Sequence, residues 1–442
     1  MRRPRAKTLW LAAVTAASAA VTAACGVSNA STSDLAAGPT GTPITVGISE
    51  PLSGPAQAQG FEADGQACLK GYQLWASDVN AHGGLLGHPV KLVVMNDEGW
   101  PASVTYDYKW LITHDHVNLT LAPFSSLLTA TAATPETDKL GYALVAGSAG
   151  APSVFSPAHH NLFSTTIPAE SEMVQFAKWV LRLPGHPTSA AYPMVNDPFA
   201  DPPVQHTMAT FEQAGIKTVY AAPHASSTAG NAGYTNIKPS ALAADARAVA
   251  HKNPGIVVLG SVDVPTVVAF MHEFGVLHWT PKIFIAASGP DQGQAFLNQA
   301  GTSNAIGTMV PNGWYGGSPN SLSHVMVQDY IAKYGGSASD INGDVAESYS
   351  AGQALAAAVR ATGGTNQAKL IAWLHNGNTT VQTVLGAAHF SASGENEAAA
   401  NNAVIFQWQP GAGGTGAKFV QVLPATAAGS VKIIPTKATL SG

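Results

Sequence analysis

Residues 44–97 read ITVGISEPLSGPAQAQGFEADGQACLKGYQLWASDVNAHGGLLGHPVKLVVMND. Ile44–Ile48 is a short, β-branched apolar run, and the Ser53-Gly54-Pro55 triplet after it is a turn signal. A helical pattern follows, with Ala67, Leu69, Tyr72, Leu74, Trp75 and Val79 as its candidate core face. It stops at Asn80–Gly84, where Gly83 and Gly84 take positive φ at low steric cost. Lys91–Met95 is a second buried strand, ending at the acidic pair Asp97-Glu98. The stretch is therefore a βαβ unit with a polar loop after its first strand. Open α/β sheets bind small molecules at such strand carboxyl ends.

Working outward, strand and helix patterns keep alternating, which predicts parallel sheets with helices on their faces. Helices are expected over Val104–His114, Leu127–Lys139, Glu170–Leu183, Val204–Ala214, Pro239–His251, Val264–Phe274, Ser321–Tyr334 and Val345–Thr362. Strands are expected over Val117–Ala122, Tyr142–Val145, Phe163–Thr166, Ser189–Val195, Thr218–Ala222, Gly255–Gly260 and Lys282–Ala286. Gly230–Thr235 is a Gly/Asn-rich loop, and Val384–Phe390 and Val404–Gln409 close the chain.

At the N-terminus Arg2, Arg3, Arg5 and Lys7 precede a short apolar run, Leu9–Ala20, and small residues lead to Cys25. That run is too short to span a bilayer comfortably, so it reads as a signal peptide. Cys25 after Ala23-Ala24 resembles a bacterial lipoprotein box and is the expected lipidation site, with an ordinary secretory cleavage site as the other reading. Residues 26–42 lack bulky apolar groups and read as a flexible tether. The remaining chain is too long for one ordinary core and predicts two domains. Apolar content of 46% against 11% charged residues excludes a disordered chain. A net charge of −5 without a basic cluster argues against nucleic acid. Cys68 is the only other cysteine, so the mature chain cannot form an intramolecular disulfide.

Pro51-Leu52-Ser53-Gly54-Pro55, Asp78-Val79-Asn80-Ala81-His82-Gly83-Gly84 and Asn96-Asp97-Glu98, in that order, resemble the opening of the type I periplasmic substrate-binding proteins. The resemblance is to the branched-chain amino acid (Leu/Ile/Val) ABC-transporter binding family and continues to about Trp408. It implies an α/β fold of two Rossmann-like lobes with parallel sheets, joined by a three-segment hinge. Lobe 1 would be 43–167 plus 309–385, and lobe 2 would be 168–308 plus 386–435, with 436–442 as a tail. The implied function is an extracytoplasmic receptor, lipid-anchored to the outer face of the cytoplasmic membrane, that passes a small polar solute to permease subunits served by a separate ATPase. No cofactor is implied.

The same resemblance implies a ligand site on the cleft loops. Ser53 lies in the first loop, and Ser125 and Ser126 match the serine-rich loop that holds a ligand carboxylate. Ser148 and Gly150 lie in the next, with Gly150 where a hydroxyl is usual. Phe199 falls where an aromatic from lobe 2 covers the ligand. A second such aromatic aligns near Gly260-Ser261 and is missing. The acidic partner of a ligand ammonium aligns near Ser288, which carries no charge, so Asp263 or Asp291 would have to replace it. Trp314 could stack on a ligand. An amide, a urea-like molecule, a carboxylate or an aromatic acid fits as well as an amino acid.

Other constellations compete. Gly411-Ala412-Gly413-Gly414-Thr415-Gly416 matches G-x-G-x-x-G, but the next residues read as a strand where phosphate binding needs a helix N-terminus. His114-Asp115-His116 and His159-His160 lack further metal ligands at suitable spacing. Ala146-Gly147-Ser148-Ala149-Gly150 approaches a G-x-S-x-G nucleophile elbow but has Ala first and no clear helix after it. A serine hydrolase using Ser148 and a ligand sensor for a signalling partner are the alternatives to the transport receptor.

Overall fold

The computed structural model describes residues 39–54, 61–223, 239–399, 403–427 and 429–441. The basic leader, Cys25 and nearly all of the tether lie outside these residues, as does the Gly230–Thr235 loop. No described helix is long and apolar enough to cross a membrane.

The first sheet holds β1 (Ile44–Glu50), β2 (Val90–Asn96), β3 (Leu119–Leu121), β4 (Leu144–Ala146) and β5 (Leu162–Ser164) in the order β2-β1-β3-β4-β5. All its pairs are parallel. Val46, Ile48, Leu121 and Val145 are fully buried, as expected for strands covered by helices on both faces. The Phe61–Ala81 helix fills the β1–β2 crossover. At the end of β1, Ser49 Oγ sits 3.0 Å from Asp97 Oδ2 and 2.8 Å from Asp107 Oδ2. A hydroxyl carries one proton, so it can donate fully to only one of these carboxyl groups at a time. Burial pushes Asp97 up to about 7.

The second sheet holds β6 (Ser189–Met194), β7 (Lys217–Pro223), β8 (Ile256–Leu259), β9 (Ile283–Ala286) and β10 (Met309–Asn312), which run parallel. A hairpin, β11 (Val381–Thr383) with β12 (Gly386–Ala388), stands apart. β13 (Val404–Pro410) and β14 (Ala417–Leu423) then complete the second sheet as antiparallel strands, giving β14-β13-β10-β9-β8-β6-β7. Gly411–Gly416 is the turn of that hairpin, with Gly413, Gly414 and Gly416 at positive φ, and no helix follows it.

Two crossings differ from the expected ones. β10 pairs with β9 and β13, so the chain leaves lobe 2 after Asn312 and not at Met309. The apolar Met309 and Val310 are buried and prolong the second sheet. The last crossing falls after Asn396 and not at Gly386. Ala388 and Phe390 belong to the lobe 1 core, Phe390 packs on Phe163 at 5.5 Å, and Asn396 Nδ2 donates to the Thr165 carbonyl. Ile167, Ala399 and Ala403 form a small apolar cluster between the lobes. Residues 436–441 are also no loose tail. Lys437 Nζ donates to the Ile306 and Ala438 carbonyls, and Leu440 is buried in the lobe 2 core.

The expected Leu127–Lys139 helix forms with a π turn over Thr129–Ala133. Pro135 has no N–H to donate back into the preceding turn, which accounts for the irregularity. Helices Phe61–Ala81 and Gly343–Thr362 form the core of lobe 1 and approach closely. A Cβ at Gly71 would run into the Val345 carbonyl, and one at Gly352 into the Trp75 indole.

Candidate functional site

Loops at the carboxyl ends of both sheets wall a cavity of about 840 Å³, counting the space open to solvent at its mouth. From lobe 1 come Phe61 and Asp64 on the first turn of their helix, Phe124–Leu127 after β3, Ser148 after β4, and Asn342, Asp344 and Glu347. From lobe 2 come Asp197 and Phe199 after β6, Val262 after β8, and Ser288, Asp291 and Gln292 after β9. Thr166 and Glu172 flank the first crossing.

Six of the residues expected at the site lie on this wall: Ser125, Ser126, Ser148, Phe199, Ser288 and Asp291. Ser125 takes φ 83°, and its Oγ accepts from Leu128 N–H at 3.3 Å. Ser126 Oγ accepts from Ala151 N–H at 3.1 Å, tying two cleft loops together. Asp291 Oδ1 accepts from Gly289 N–H at 2.8 Å, and its Oδ2 from Asn312 Nδ2 at 3.4 Å.

The other five stand elsewhere. Ser53 Oγ accepts from Asn96 Nδ2 at 2.7 Å, which ties the first loop to the end of β2. Gly150 lies against the first crossing, where a Cβ would meet the Ile167 carbonyl. Ser261 donates to the Ser288 carbonyl at 2.6 Å and props that loop from behind. Asp263 caps the Val264–Val276 helix by accepting from Thr266 N–H at 2.7 Å. Trp314 is a core residue, 2% exposed, whose Nε1 donates to Ser323 Oγ at 2.6 Å. Among the metal candidates, His114 Nδ1 lies 2.8 Å from Asp115 Oδ1 and His159 Nδ1 lies 2.9 Å from Asp138 Oδ2. Neither pair is on the cavity. Among the described residues no cluster of His, Cys, Asp or Glu is suited to hold a metal ion.

Sequence reasoning missed the residues that set the charge of the wall. Asp64, Glu172, Asp344 and Glu347 join Asp197 and Asp291, giving six carboxyl side chains and, among the described residues, no Lys, Arg or His. Asp344 and Glu347 lie one turn apart at the start of an Ala-rich helix, and Asp64 opens the other long helix. An acidic residue in a first turn reads as an ordinary response to the helix dipole. Only the fold shows that both helix starts face one cleft.

The partners of these carboxyl groups are neutral groups, apart from a hydrogen bond between Asp64 and Asp344 themselves. Asp64 accepts from Gln292 Nε2 at 3.1 and 3.3 Å, across the cleft, and from Asn342 Nδ2 at 3.4 Å. Glu347 Oε1 accepts from Thr166 Oγ1 at 3.2 Å. Asp197 Oδ1 accepts from the N–H groups of Phe199 and Ala200 at 2.8 and 2.9 Å. Glu172 is 9% exposed, and its Oε2 has no hydrogen-bond partner. Burial, then repulsion from neighbouring carboxylates, pushes Asp64, Glu172, Asp344 and Glu347 well up. Burial lifts Asp291 to about 6 against its own loop hydrogen bonds. The wall is therefore partly protonated near neutral pH.

Ser148 Oγ lies 3.5 Å from Asp344 Oδ1 and 3.6 Å from Cys68 Sγ. No described histidine stands on the wall to act as its base.

A profile of the family described as periplasmic binding protein matches residues 43–415. No curated protein sequence matches the chain. Among solved structures, the branched-chain amino acid transporter substrate-binding protein LivJ from Streptococcus pneumoniae, in complex with isoleucine, is 17% identical with a TM-score of 0.66, covering 86% of this chain and 100% of that one. A type 1 periplasmic binding protein from Bordetella pertussis is 15% identical with a TM-score of 0.70, covering 86% and 100%. A solute-binding protein from R. palustris, in complex with 4-hydroxybenzoate, is 16% identical with a TM-score of 0.67, covering 86% and 96%. At these identities the likeness is one of fold.

Proposed function

The chain belongs to the periplasmic binding protein family, and from that membership we propose that it is the extracytoplasmic solute receptor of an ABC importer. A small polar molecule enters the interlobe cavity, bridges both walls and biases an open–closed equilibrium toward the closed form. The closed form then docks on permease subunits, with ATP hydrolysed by a separate protein. Cys25 carries the lipid that holds the receptor at the outer face of the cytoplasmic membrane, and residues 26–42 are the tether. The chain performs no chemistry on its ligand.

One observation carries this reading. Direct side-chain hydrogen bonds across the cleft run from Gln292 to Asp64. The two walls thus touch beside a cavity lined by the strand-end loops of both sheets. Fluorophores placed on the two lobes, read by energy transfer during a solute screen, test it. A ligand that binds without moving the lobes would overturn the receptor mechanism. Cys25→Ser should release the protein from membranes, and retention would remove the lipid anchor.

A further inference from the structure

Resting on the receptor reading, we propose that the cleft selects a small organic polycation, with two or more ammonium or guanidinium groups on an apolar skeleton. Three features of the wall converge on this class.

First, the carboxyl groups come from both lobes and surround the cavity. Asp64, Asp344 and Glu347 stand on one side, Asp197 and Asp291 on the other, and Glu172 beside the first crossing. Amides, hydroxyls and backbone N–H groups satisfy part of their hydrogen-bonding capacity, but none supplies a positive charge. Glu172 Oε2 is buried in this wall with no partner at all. A buried carboxyl oxygen without a hydrogen-bond partner is costly, and a cationic donor entering the cavity would supply the missing bond and favour the ionised form.

Second, two of the helix starts that would attract a ligand's own carboxylate are already filled. Helix N-termini draw anions. Here Asp64 and Asp344 occupy the first turns of the two long helices facing the cavity. An anionic ligand would find an acidic side chain already standing at both.

Third, the remaining wall suits an organic cation better than a metal ion. Phe61 and Phe124, with ring centroids 5.7 Å apart, share the cavity with Phe199, Val262 and Leu127. Ring faces attract cations, and the aliphatic groups can cover a carbon chain. No described cluster of these groups is suited to hold a metal. Carboxyl groups contributed by both lobes, with apolar side chains among them, call for charges spread along a molecule.

The test is calorimetric titration of the full chain at about pH 8 with 1,4-diaminobutane, 1,5-diaminopentane, spermidine and agmatine. Leucine, 4-hydroxybenzoate and calcium serve as contrasts. At least one amine should bind saturably, one per chain, and more tightly than any contrast. Glu172→Gln and Glu347→Gln keep the side-chain shape and should each weaken that amine about tenfold. Neither should lower the melting temperature of the empty protein, which separates lost binding from misfolding. Preferred binding of leucine or 4-hydroxybenzoate, undiminished by both variants, would overturn the polycation while leaving the receptor standing. Amine binding that both variants leave unchanged would place it on the surface and overturn the site. No response to any amine would also overturn it. An amine that binds as proposed but leaves the interlobe distance unchanged would instead remove the receptor reading.

Discussion

Gln292 of the second lobe donates through Nε2 to both carboxylate oxygens of Asp64 in the first, at 3.1 and 3.3 Å. This amide joins the two walls without bringing a positive charge to the carboxyl group it touches. Gln292→Ala should therefore cost about 1 kcal/mol of closure. Small-angle scattering should show a larger radius for the empty variant, and ligand affinity should fall severalfold. An unchanged radius would mean that the contact does not bear on closure.

Stability of the empty protein should fall as pH rises. Asp64, Glu172, Asp197, Asp291, Asp344 and Glu347 all have raised pKa values in the folded chain. In that range the folded state binds more protons than the unfolded chain, so the slope of stability with pH is negative. The contribution is full below the ordinary carboxyl range and is lost as pH rises through about 6, the value for Asp291, and beyond. Melting temperatures should be lower at about pH 8 than at about pH 5.5. A flat or rising profile would contradict the burial of these groups.

Ligand affinity should run the other way. A cation entering the wall favours ionised carboxylates and expels their protons. Binding should strengthen between about pH 5.5 and pH 8, with proton release visible as a buffer-dependent binding enthalpy. Affinity that is independent of pH and buffer would exclude these carboxyl groups as ligand partners.

Phe199→Ala should weaken the ligand by about 1–2 kcal/mol through loss of lobe 2 aromatic cover. Phe199 is only partly buried, so the melting temperature of the empty protein should change little. Equal affinity in titrations of both proteins would move the ligand to another part of the cavity.

Gly71→Ala should destabilise lobe 1 by about 1–3 kcal/mol, because the added methyl meets the backbone carbonyl of Val345. Denaturant unfolding measures this directly. A neutral result would mean that the two long helices separate at little cost.

Much of the fold was legible because β-branched runs and helical patterns alternate with turn residues at nearly every boundary. The β10 error shows the limit. Met309-Val310-Pro311-Asn312 is short and apolar, and no periodicity says which sheet such a strand joins. The resemblance drew attention to the strand-end loops, and Ser125, Ser126, Ser148, Phe199, Ser288 and Asp291 do line the cavity. It could not reveal the acidic wall. Asp64 and Asp344 are 280 residues apart in sequence, and each has an ordinary role at a helix start. Ser261, Asp263 and Trp314 looked like contacts by their nearness to cleft loops. Their side chains turn into the protein to hold those loops or fill its core.

The close approach at Gly71 and Gly352 has a geometric consequence. It clamps together the two helices that carry Asp64, Asp344 and Glu347, so the spacing of these acids is set before any solute arrives. When the hinge turns, Asp197 and Asp291 travel and the other three do not move relative to one another. The cleft then works as a caliper with one fixed jaw, in which the length between charged ends decides how far the gap can shut.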